Sequence, residues 1–230
     1  QVFNAIGSAH VLRNEHKGCT SFVIRCETSD TFLGASPETL LKRKGRHLES
    51  QALAGTAEHA DTLKQSSKDR EEQRMVVESI LQQLEPFAEL NEVSAEPKLR
   101  MLKDLVHLET RISALVSEET DTFSLLESLH PTPAVGGLPR KAALNWLADH
   151  EGLERGWYSG PVGWVNAKGD THFVVAIRSV LMSPKKCTSF TGAGLVQGSE
   201  AQSEWLETEA KSKTVLQSCR IRNAGSRNDG

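Results

Sequence analysis

The order of strand-like and helix-like segments is the feature of this sequence that most constrains its fold. Two strand-like runs, 20–26 and 31–35, precede a block of helical patterns, and strand-like runs return from Tyr158 onwards. Strands that cluster on either side of a helical block favour antiparallel pairing, because parallel sheets are built from strands and helices in alternation. The order therefore predicts an α+β fold, with mostly antiparallel sheets and surrounding helices.

The spacing of apolar residues places the helices and the later strands. The clearest helix carries Val76, Ile80 and Leu84 on one row and is ended by Pro86. Turn residues and β-like runs mark the strands that follow the helical block. The helices are expected at 68–84, 99–116, 121–129, 139–150 and 201–217, and the later strands at 159–165, 172–182 and 188–196.

Charge, hydropathy and cysteine spacing exclude several classes of protein. The 230 residues carry a net charge of −3, so no global field favours nucleic acid or an anionic membrane. No apolar run approaches the roughly 20 residues of a membrane span. The four cysteines form no C-x-x-C pair, so neither a zinc site nor a disulfide framework is expected. The default location is the cytoplasm, where thiols stay reduced.

Carboxylates on two helical faces allow either a structural or a chemical interpretation. Glu72 continues the apolar row of Val76, so it lies either in a site at the edge of the core or, as a first-turn Glu, in water. Glu204, Glu207 and Lys211 share a face, which is either a solvated stripe or a metal-binding carboxylate beside an anion-binding cation. Glu residues on two helices suit Mg²⁺, because that ion takes one or two protein carboxylates together with waters and substrate oxygens.

Other glycine-rich and polar positions give weak signals when each is taken alone. The segments 53–56 and 191–196 contain glycines that let a backbone approach an anion, but neither is a nucleotide-binding fingerprint. Arg178 ends an apolar run, so it is either solvated or aimed at a carboxylate. His107 has an apolar context typical of a hydrogen-bonded, half-buried histidine, and Glu38 stands in an unremarkable turn. None of these positions identifies a reaction by itself.

The same segments, taken together and in order, resemble the chorismate-binding enzyme family. They are FLGASPETLL (32–41), LAGT (53–56), SKDREE (67–72), HLET (107–110), LHPTPAVGGLPR (129–140), ERGWYSGPVGW (154–164), FVVAIR (173–178), GAGLVQGS (192–199) and EWLETEAK (204–211). The family includes isochorismate, salicylate, anthranilate and aminodeoxychorismate synthases. The resemblance implies a two-sheet α/β sandwich with the active site between the sheets. Residues 1–219 would form the C-terminal portion of this catalytic domain, followed by a polar tail over 220–230.

The sequence is similar to the water-using branch of that family. The anthranilate and aminodeoxychorismate enzymes usually follow the first metal-binding Glu with a D-L-x-R-N-D run, whereas residues 75–80 here read MVVESI. The resemblance implies Mg²⁺-dependent conversion of chorismate to isochorismate, for menaquinone or siderophore biosynthesis. Two alternatives stay open: a salicylate synthase, which also eliminates pyruvate, and an inactive chorismate-binding fragment.

The resemblance also assigns the metal and the acid. Glu72 and Glu207 fall on the family's Mg²⁺ ligands, and Asp69 and Glu204 on positions that act through water. Glu38 falls on the general acid that protonates the departing C4 hydroxyl of chorismate. A carboxyl group in a closed site can keep the proton that this role needs.

The remaining roles concern chorismate itself, a dianion whose desolvation calls for cations. By resemblance, three positions hold the ring carboxylate, three hold the enolpyruvyl carboxylate and one lies beside the ring. The ring carboxylate positions are Gly55, Thr56 and Lys211. The enolpyruvyl carboxylate positions are Tyr158, Arg178 and Gly194, and His107 is the residue beside the ring.

The sequence departs from the family at the start of the chain and in two motifs. Gln73 stands where His is usual, and Glu58-His59 follows AGT where basic residues are common. The family's general-base Lys lies in a strand well upstream of the SPE motif, whereas Lys17 is the only lysine before Glu38. The N-terminus has neither an initiator Met nor a signal-peptide pattern. We therefore expect that the chain starts mid-protein and does not catalyse the conversion unaided.

Overall fold

The computed structural model describes residues 2–25, 30–219 and 221–222. Its helices are α1 (Ala5–Glu15), α2 (Ala60–Gln65), α3 (Ser67–Leu84), α4 (Thr122–Leu129), α5 (Pro133–Gly136), α6 (Arg140–His150) and α7 (Ala201–Leu216). Its strands are β1 (Val2–Phe3), β2 (Thr20–Arg25), β3 (Thr31–Ser36), β4 (Thr39–Lys44), β5 (His47–Ala57), β6 (Ala88–Val93), β7 (Lys98–Met101), β8 (Val106–Val116), β9 (Pro161–Val165), β10 (Thr171–Val175), β11 (Ser179–Met182), β12 (Cys187–Phe190) and β13 (Ile221–Arg222).

Two antiparallel sheets form the framework of the protein. The larger has seven strands in the order β6-β8-β5-β4-β10-β9, with β7 also paired to β8. The smaller has four strands in the order β12-β11-β3-β2, and β1 pairs with β13 in a separate ribbon. The expected α+β class with mostly antiparallel sheets is confirmed. None of the described helices is long and apolar enough to cross a bilayer.

The chain passes from one sheet to the other at two places that lie side by side. The first passage joins β3 to β4 through Pro37-Glu38, and the second joins β10 to β11 through residues 176–178. The backbone N–H of Val175 donates to the Glu38 carbonyl at 3.1 Å, and that of Ala35 donates to the Arg178 carbonyl at 3.2 Å. These bonds bring the two passages together, so Glu38 and Arg178 both lie where the sheets meet.

Helix α3 covers the larger sheet, and its packing agrees with the sequence pattern. Val76, Ile80 and Leu84 are buried in the main hydrophobic cluster with residues of β4, β5 and β8. The helix begins where the Ser66 side chain accepts a hydrogen bond from the backbone N–H of Asp69. The first two turns of α3 therefore have a fixed position over the sheet, and they carry Asp69 and Glu72.

The helix predicted over 99–116 is wrong, because that segment forms β7 and β8. In β8 the apolar side chains at 106, 108, 112, 114 and 116 are all buried, which is alternation with a period of two. The strand pairs with β5 on one side and with β6 and β7 on the other. Both faces of β8 are buried, so apolar residues occur on both faces of the strand, and some of them also fall at helical intervals.

Two predicted strands also differ from the structure. The run 172–182 is two strands in different sheets, because Arg178 adopts a left-handed φ of 52° and turns the chain between them. The run 188–196 is a strand only as far as Phe190, and the glycine-rich part beyond it is irregular. The other predicted helices form α3, α4, α6 and α7 within one or two residues. Of the polar tail predicted at 220–230, only Ile221-Arg222 lies within the described residues.

Candidate active site

A cleft of about 470 Å³ collects side chains from both sheets and from the helices around them. It includes the predicted acid and every residue that the resemblance places on chorismate. The predicted residues that line it are Glu38, Gly55, Thr56, Glu72, His107, Tyr158, Arg178, Gly194 and Lys211. Residues separated by up to 173 positions in sequence are thus brought to one concave surface, where a small molecule would be enclosed.

His107, Arg178 and the backbone of Gly55 form one hydrogen-bonded chain in the cleft. Arg178 Nη2 lies 3.0 Å from His107 Nε2, and His107 Nδ1 lies 3.0 Å from the Gly55 carbonyl oxygen. A guanidinium only donates and a carbonyl only accepts, so Nε2 accepts and Nδ1 carries the proton. Burial, and then the Arg178 charge, hold the pKa of His107 well below its usual value. His107 is therefore a neutral ring that orients Arg178.

Arg178 is a buried cation whose side chain faces the cleft. It is 9% exposed, so the solvated alternative for this residue is wrong. Burial lowers the pKa of its guanidinium to about 10, which leaves it charged at neutral pH. Among the residues that the structure describes, no carboxylate lies within ion-pair distance of it. A buried, charged fork that lacks a carboxylate partner is suited to bind the carboxylate of a ligand.

Glu38 has the properties of a carboxyl group that holds a proton near neutral pH. It is 2% exposed, and burial raises its pKa to about 7. The Thr132 hydroxyl donates to Glu38 Oε1 at 3.3 Å, and this bond and the charge of Lys211 oppose the effect of burial. A carboxyl group with this pKa is poised to give up a proton at physiological pH.

Four carboxylates and two lysines gather where α3 meets α7. Lys68 Nζ lies 2.5 Å from Glu204 Oε1 and 3.9 Å from Asp69 Oδ1, and Lys211 Nζ lies 2.5 Å from Glu207 Oε1. The side chains of Glu207 and Lys211 are each only 16% exposed, so this face is not the solvated stripe that the sequence also allowed.

Glu72 is the carboxylate of this group that lines the cleft. Burial, and then the negative charge of Glu207, raise its pKa to about 7. That electrostatic coupling requires the two carboxylates to be close. Asp69, Glu204 and Glu207 line a neighbouring cavity of about 1210 Å³. Thr56 lines both cavities and stands between them.

The charges of this group fit a divalent cation. Its four carboxylates outnumber its two lysines by two, so the group lacks two positive charges when all its members are ionised. Oε2 of the buried Glu204 also has no hydrogen-bond partner among the described residues. Within the same residues no three His, Cys, Asp or Glu side chains converge as a closed metal cage. An open site of this kind suits Mg²⁺, which keeps several waters and takes few protein ligands.

Two glycines bring the backbone close to these carboxylates. A Cβ at Gly194 would lie 2.5 Å from Glu72 Oε1, and a Cβ at Gly55 would lie 2.9 Å from the Cβ of Asp69. Gly55 also has a φ of 66°, which L-residues rarely adopt. The backbone of both glycines therefore lies close to these carboxylates, where a ligand could approach it.

Some residues in the cleft or next to it were missed by the sequence analysis of sites. Thr132, Trp146 and Lys68 lie inside or beside the quoted motifs but had no assigned role. Tyr158 was assigned, and its ring stacks on Phe190 with centroids 5.5 Å apart, which fixes one wall. Thr132 could have been suspected only from its place in LHPTPAVGG, because its hydrogen bond joins residues 94 positions apart.

Comparisons with known proteins agree with this fold. A sequence profile described as "Chorismate binding enzyme" matches residues 1–220. The "Salicylate biosynthesis isochorismate synthase" of Pseudomonas aeruginosa is 42% identical over 207 residues, which are 86% of this chain and 43% of that protein. The "Isochorismate synthase MenF" of Bacillus subtilis is 36% identical over 208 residues, which are 86% of this chain and 44% of that protein.

A solved structure supports the same relationship. The menaquinone-specific isochorismate synthase MenF of Escherichia coli superposes with a TM-score of 0.84 and 30% identity, over 94% of this chain and 52% of that one. This chain belongs to the chorismate-binding enzyme family. It spans about half the length of the curated relatives it matches.

Proposed function

We propose that this chain is the chorismate-binding part of an isochorismate synthase, which converts chorismate to isochorismate with Mg²⁺. The observation that carries the proposal is the buried Arg178, which faces the cleft without a carboxylate partner among the described residues. The carboxyl group of Glu38, whose pKa is raised to about 7, and a group of acidic residues that lacks two positive charges lie near it. The relatives whose names include isochorismate synthase support the choice of reaction.

The two carboxylates of chorismate define how the ligand would lie in the cleft. Arg178 and Tyr158, with the backbone of Gly194, would hold the enolpyruvyl carboxylate. Lys211, with Thr56 and the backbone of Gly55, would hold the ring carboxylate. His107 is neutral, and its Nε2 accepts from Arg178, so it would keep the guanidinium fork aimed at the ligand. These contacts would replace the water that a dianion loses on burial.

Glu72 and Glu207 would hold Mg²⁺, and Asp69 and Glu204 would hold its water ligands. The ion would supply positive charge to the ring carboxylate. The negative charge of Glu207 that now raises the pKa of Glu72 would then be balanced, so both carboxylates would stay ionised. Lys211 pairs with Glu207 and also donates to the Gly192 carbonyl at 3.1 Å, which keeps it between the metal side and the substrate side.

Glu38 would protonate the C4 hydroxyl as it leaves, while a water attacks C2 and the ring double bond shifts. The water needs a base, and Lys211 is the only lysine among the described residues that line the cleft. Because Lys211 is already paired with Glu207, it is not suited to take that proton. Lys17 is exposed and lies outside the cleft. We therefore propose that residues 1–230 bind chorismate but do not turn it over alone.

The test is a titration of residues 1–230 with chorismate in the presence of Mg²⁺. Arg178→Ala should weaken binding by at least 100-fold, because a buried charge-assisted contact is lost. Arg111→Ala, at an exposed arginine on β8, is the matched control and should bind as wild type. Unchanged affinity in Arg178→Ala would refute the proposed function. The same mixtures, analysed for isochorismate and pyruvate, test the reaction: rapid isochorismate formation would overturn the need for another base, and pyruvate would indicate a salicylate synthase.

A further inference from the structure

The thiols of Cys187 and Cys219 lie 3.4 Å apart, although 32 positions separate them in the sequence. A disulfide bond is about 2.05 Å long, so these two sulfurs are in contact but not bonded to each other. No role in the candidate active site involves either residue. We propose that Cys187 and Cys219 form a thiol–disulfide exchange site, at which a low-molecular-weight disulfide converts the two thiols to an intramolecular disulfide.

Both cysteines are held in place by backbone structure. Cys187 opens β12, an edge strand, and pairs with Met182 of β11. Cys219 follows α7, and its backbone N–H donates to the Leu216 carbonyl at 3.0 Å. The preceding residue, the buried Ser218, has its hydroxyl 3.0 Å from Nε2 of the buried His16, which ties this turn to the end of α1. The sulfurs need to approach by only about 1.3 Å to bond, which side-chain rotation can supply.

Three cysteines, Cys19, Cys187 and Cys219, pack against one apolar cluster, and Cys187 is the one best suited to attack a disulfide first. The hydrogen bond between the two thiols lowers the pKa of Cys187 against the opposing effect of burial. Cys187 is half-buried at the sheet edge, and the exposed Lys185 and Lys186 precede it, so an anionic disulfide such as glutathione disulfide would be attracted there. Cys19 packs in the same apolar cluster, but burial raises its pKa.

The exchange balances without any other oxidant. The Cys187 thiolate attacks one sulfur of the small disulfide R–S–S–R, which forms Cys187–S–S–R and releases R–S⁻. Cys219 loses its proton to water and attacks the Cys187 sulfur, which forms the Cys187–Cys219 bond and releases the second R–S⁻. Two protein thiols are oxidised, and the small disulfide is reduced to two thiols.

The new bond would close a loop that contains much of the candidate site. Gly192, Gly194, Glu204, Glu207 and Lys211 all lie between the two cysteines. A bond between the turn after α7 and the start of β12 would hold that helix against the smaller sheet. Because cross-linking restricts the unfolded chain more than the folded one, the oxidised protein should melt roughly 5–10 °C higher.

The experiment uses residues 1–230 with Cys26 replaced by Ser, because Cys26 lies outside the described residues. The reduced protein is incubated with glutathione disulfide at pH 8, alkylated, and digested with trypsin. The expected product is a cross-linked pair of peptides, 187–211 and 214–220, which disappears after reduction. Its yield should rise together with the melting temperature of the intact protein.

Single substitutions decide which cysteine reacts first. Cys219→Ser should stop at a glutathione adduct on Cys187, whereas Cys187→Ser should give neither the adduct at that position nor the cross-link. Cys19→Ser is the matched control, and it should form the cross-link as readily as its parent. The proposal is overturned if the 187–219 cross-link does not form in folded protein, or if Cys19 takes part in the dominant bond.

Discussion

Glu38 and Glu72 have the same raised pKa, about 7, but they reach it in different surroundings. At Glu38 burial acts alone, and the Thr132 hydroxyl and the charge of Lys211 both oppose it. At Glu72 the negative charge of Glu207 adds to burial. A cation bound between Glu72 and Glu207 would offset the negative charge of Glu207, but it would leave the burial of Glu38 unchanged. The comparison indicates that Glu38 is suited to keep and donate a proton, and Glu72 to give its proton up when a metal binds.

The largest effect that would test this comparison is on metal binding. Glu72→Gln should weaken the Mg²⁺-induced rise in melting temperature so that roughly 100-fold more Mg²⁺ is needed, because a neutral amide replaces one of the two proposed carboxylate ligands. Glu38→Gln is the matched control, and its response to Mg²⁺ should equal that of wild type. Equal loss in both variants would mean that the two carboxylates belong to one site and that the distinction drawn here is wrong.

The second effect concerns stability and pH, and it isolates Glu38. Its pKa of about 7 in the folded protein exceeds the ordinary value of 4.5, so the folded state binds its proton more tightly than the unfolded state. This contribution to stability is therefore full below pH 4.5 and is lost as the pH rises through 7. The loss is about 3 kcal/mol for a difference of this size.

Glu38→Gln should remove that part of the pH dependence. Between pH 4.5 and pH 8 the free energy of unfolding of the wild type should fall by about 3 kcal/mol more than that of the variant, as measured by urea denaturation at each pH. The other titrating groups are common to both proteins, so they cancel in the difference. Parallel pH profiles would show that Glu38 is ionised in the folded protein at neutral pH.

The third effect concerns Lys68, the lysine that pairs with the buried Glu204. Lys68→Met should destabilise the Mg²⁺-free protein by roughly 1–3 kcal/mol, because the buried Glu204 loses its ion-pair partner. Added Mg²⁺ should recover more stability in this variant than in wild type. Lys64→Met, at an exposed pair with Asp61, is the control and should change stability by less than about 0.5 kcal/mol. A Mg²⁺ response no larger than that of wild type would argue against charge compensation by Lys68.

The sequence predicted those parts of the fold that depend on local spacing. Helices α3 and α7 follow from apolar residues that recur at helical intervals, and both form as expected. Strand β8 was missed because its apolar residues also fit a helical pattern, and only pairing with β5 and β6 decides between them. The break at Arg178 was missed for a similar reason, since it depends on two sheets and not on local preference.

The residues of the candidate site also differ in how far local sequence indicates them. The pattern on α3 drew attention to Glu72 because it continues a buried row, but nothing near Glu38 in the sequence indicates burial. Its environment is created by the passage beside Val175 and by Thr132, both distant in the chain. The resemblance predicted a role for Glu38, whereas physical reasoning from the sequence did not. The contact between Cys187 and Cys219 was missed because no short motif joins the two residues.

The smallest effect concerns the hydroxyl that opposes burial at Glu38. Thr132 donates to Glu38 Oε1, and a donated hydrogen bond favours the ionised carboxylate. Thr132→Val keeps the shape of the side chain but removes the donor, so the pKa of Glu38 should rise from about 7 towards roughly 8. Infrared titration of the protonated carboxyl band that Glu38→Gln abolishes would measure this change. Thr132→Ser keeps the hydroxyl and should leave the pKa near 7, while Glu72 should titrate as in wild type in both variants. A pKa of Glu38 that is the same in Thr132→Val and Thr132→Ser would mean that the bond does not influence the acid, and that burial and Lys211 alone determine how readily Glu38 gives up its proton.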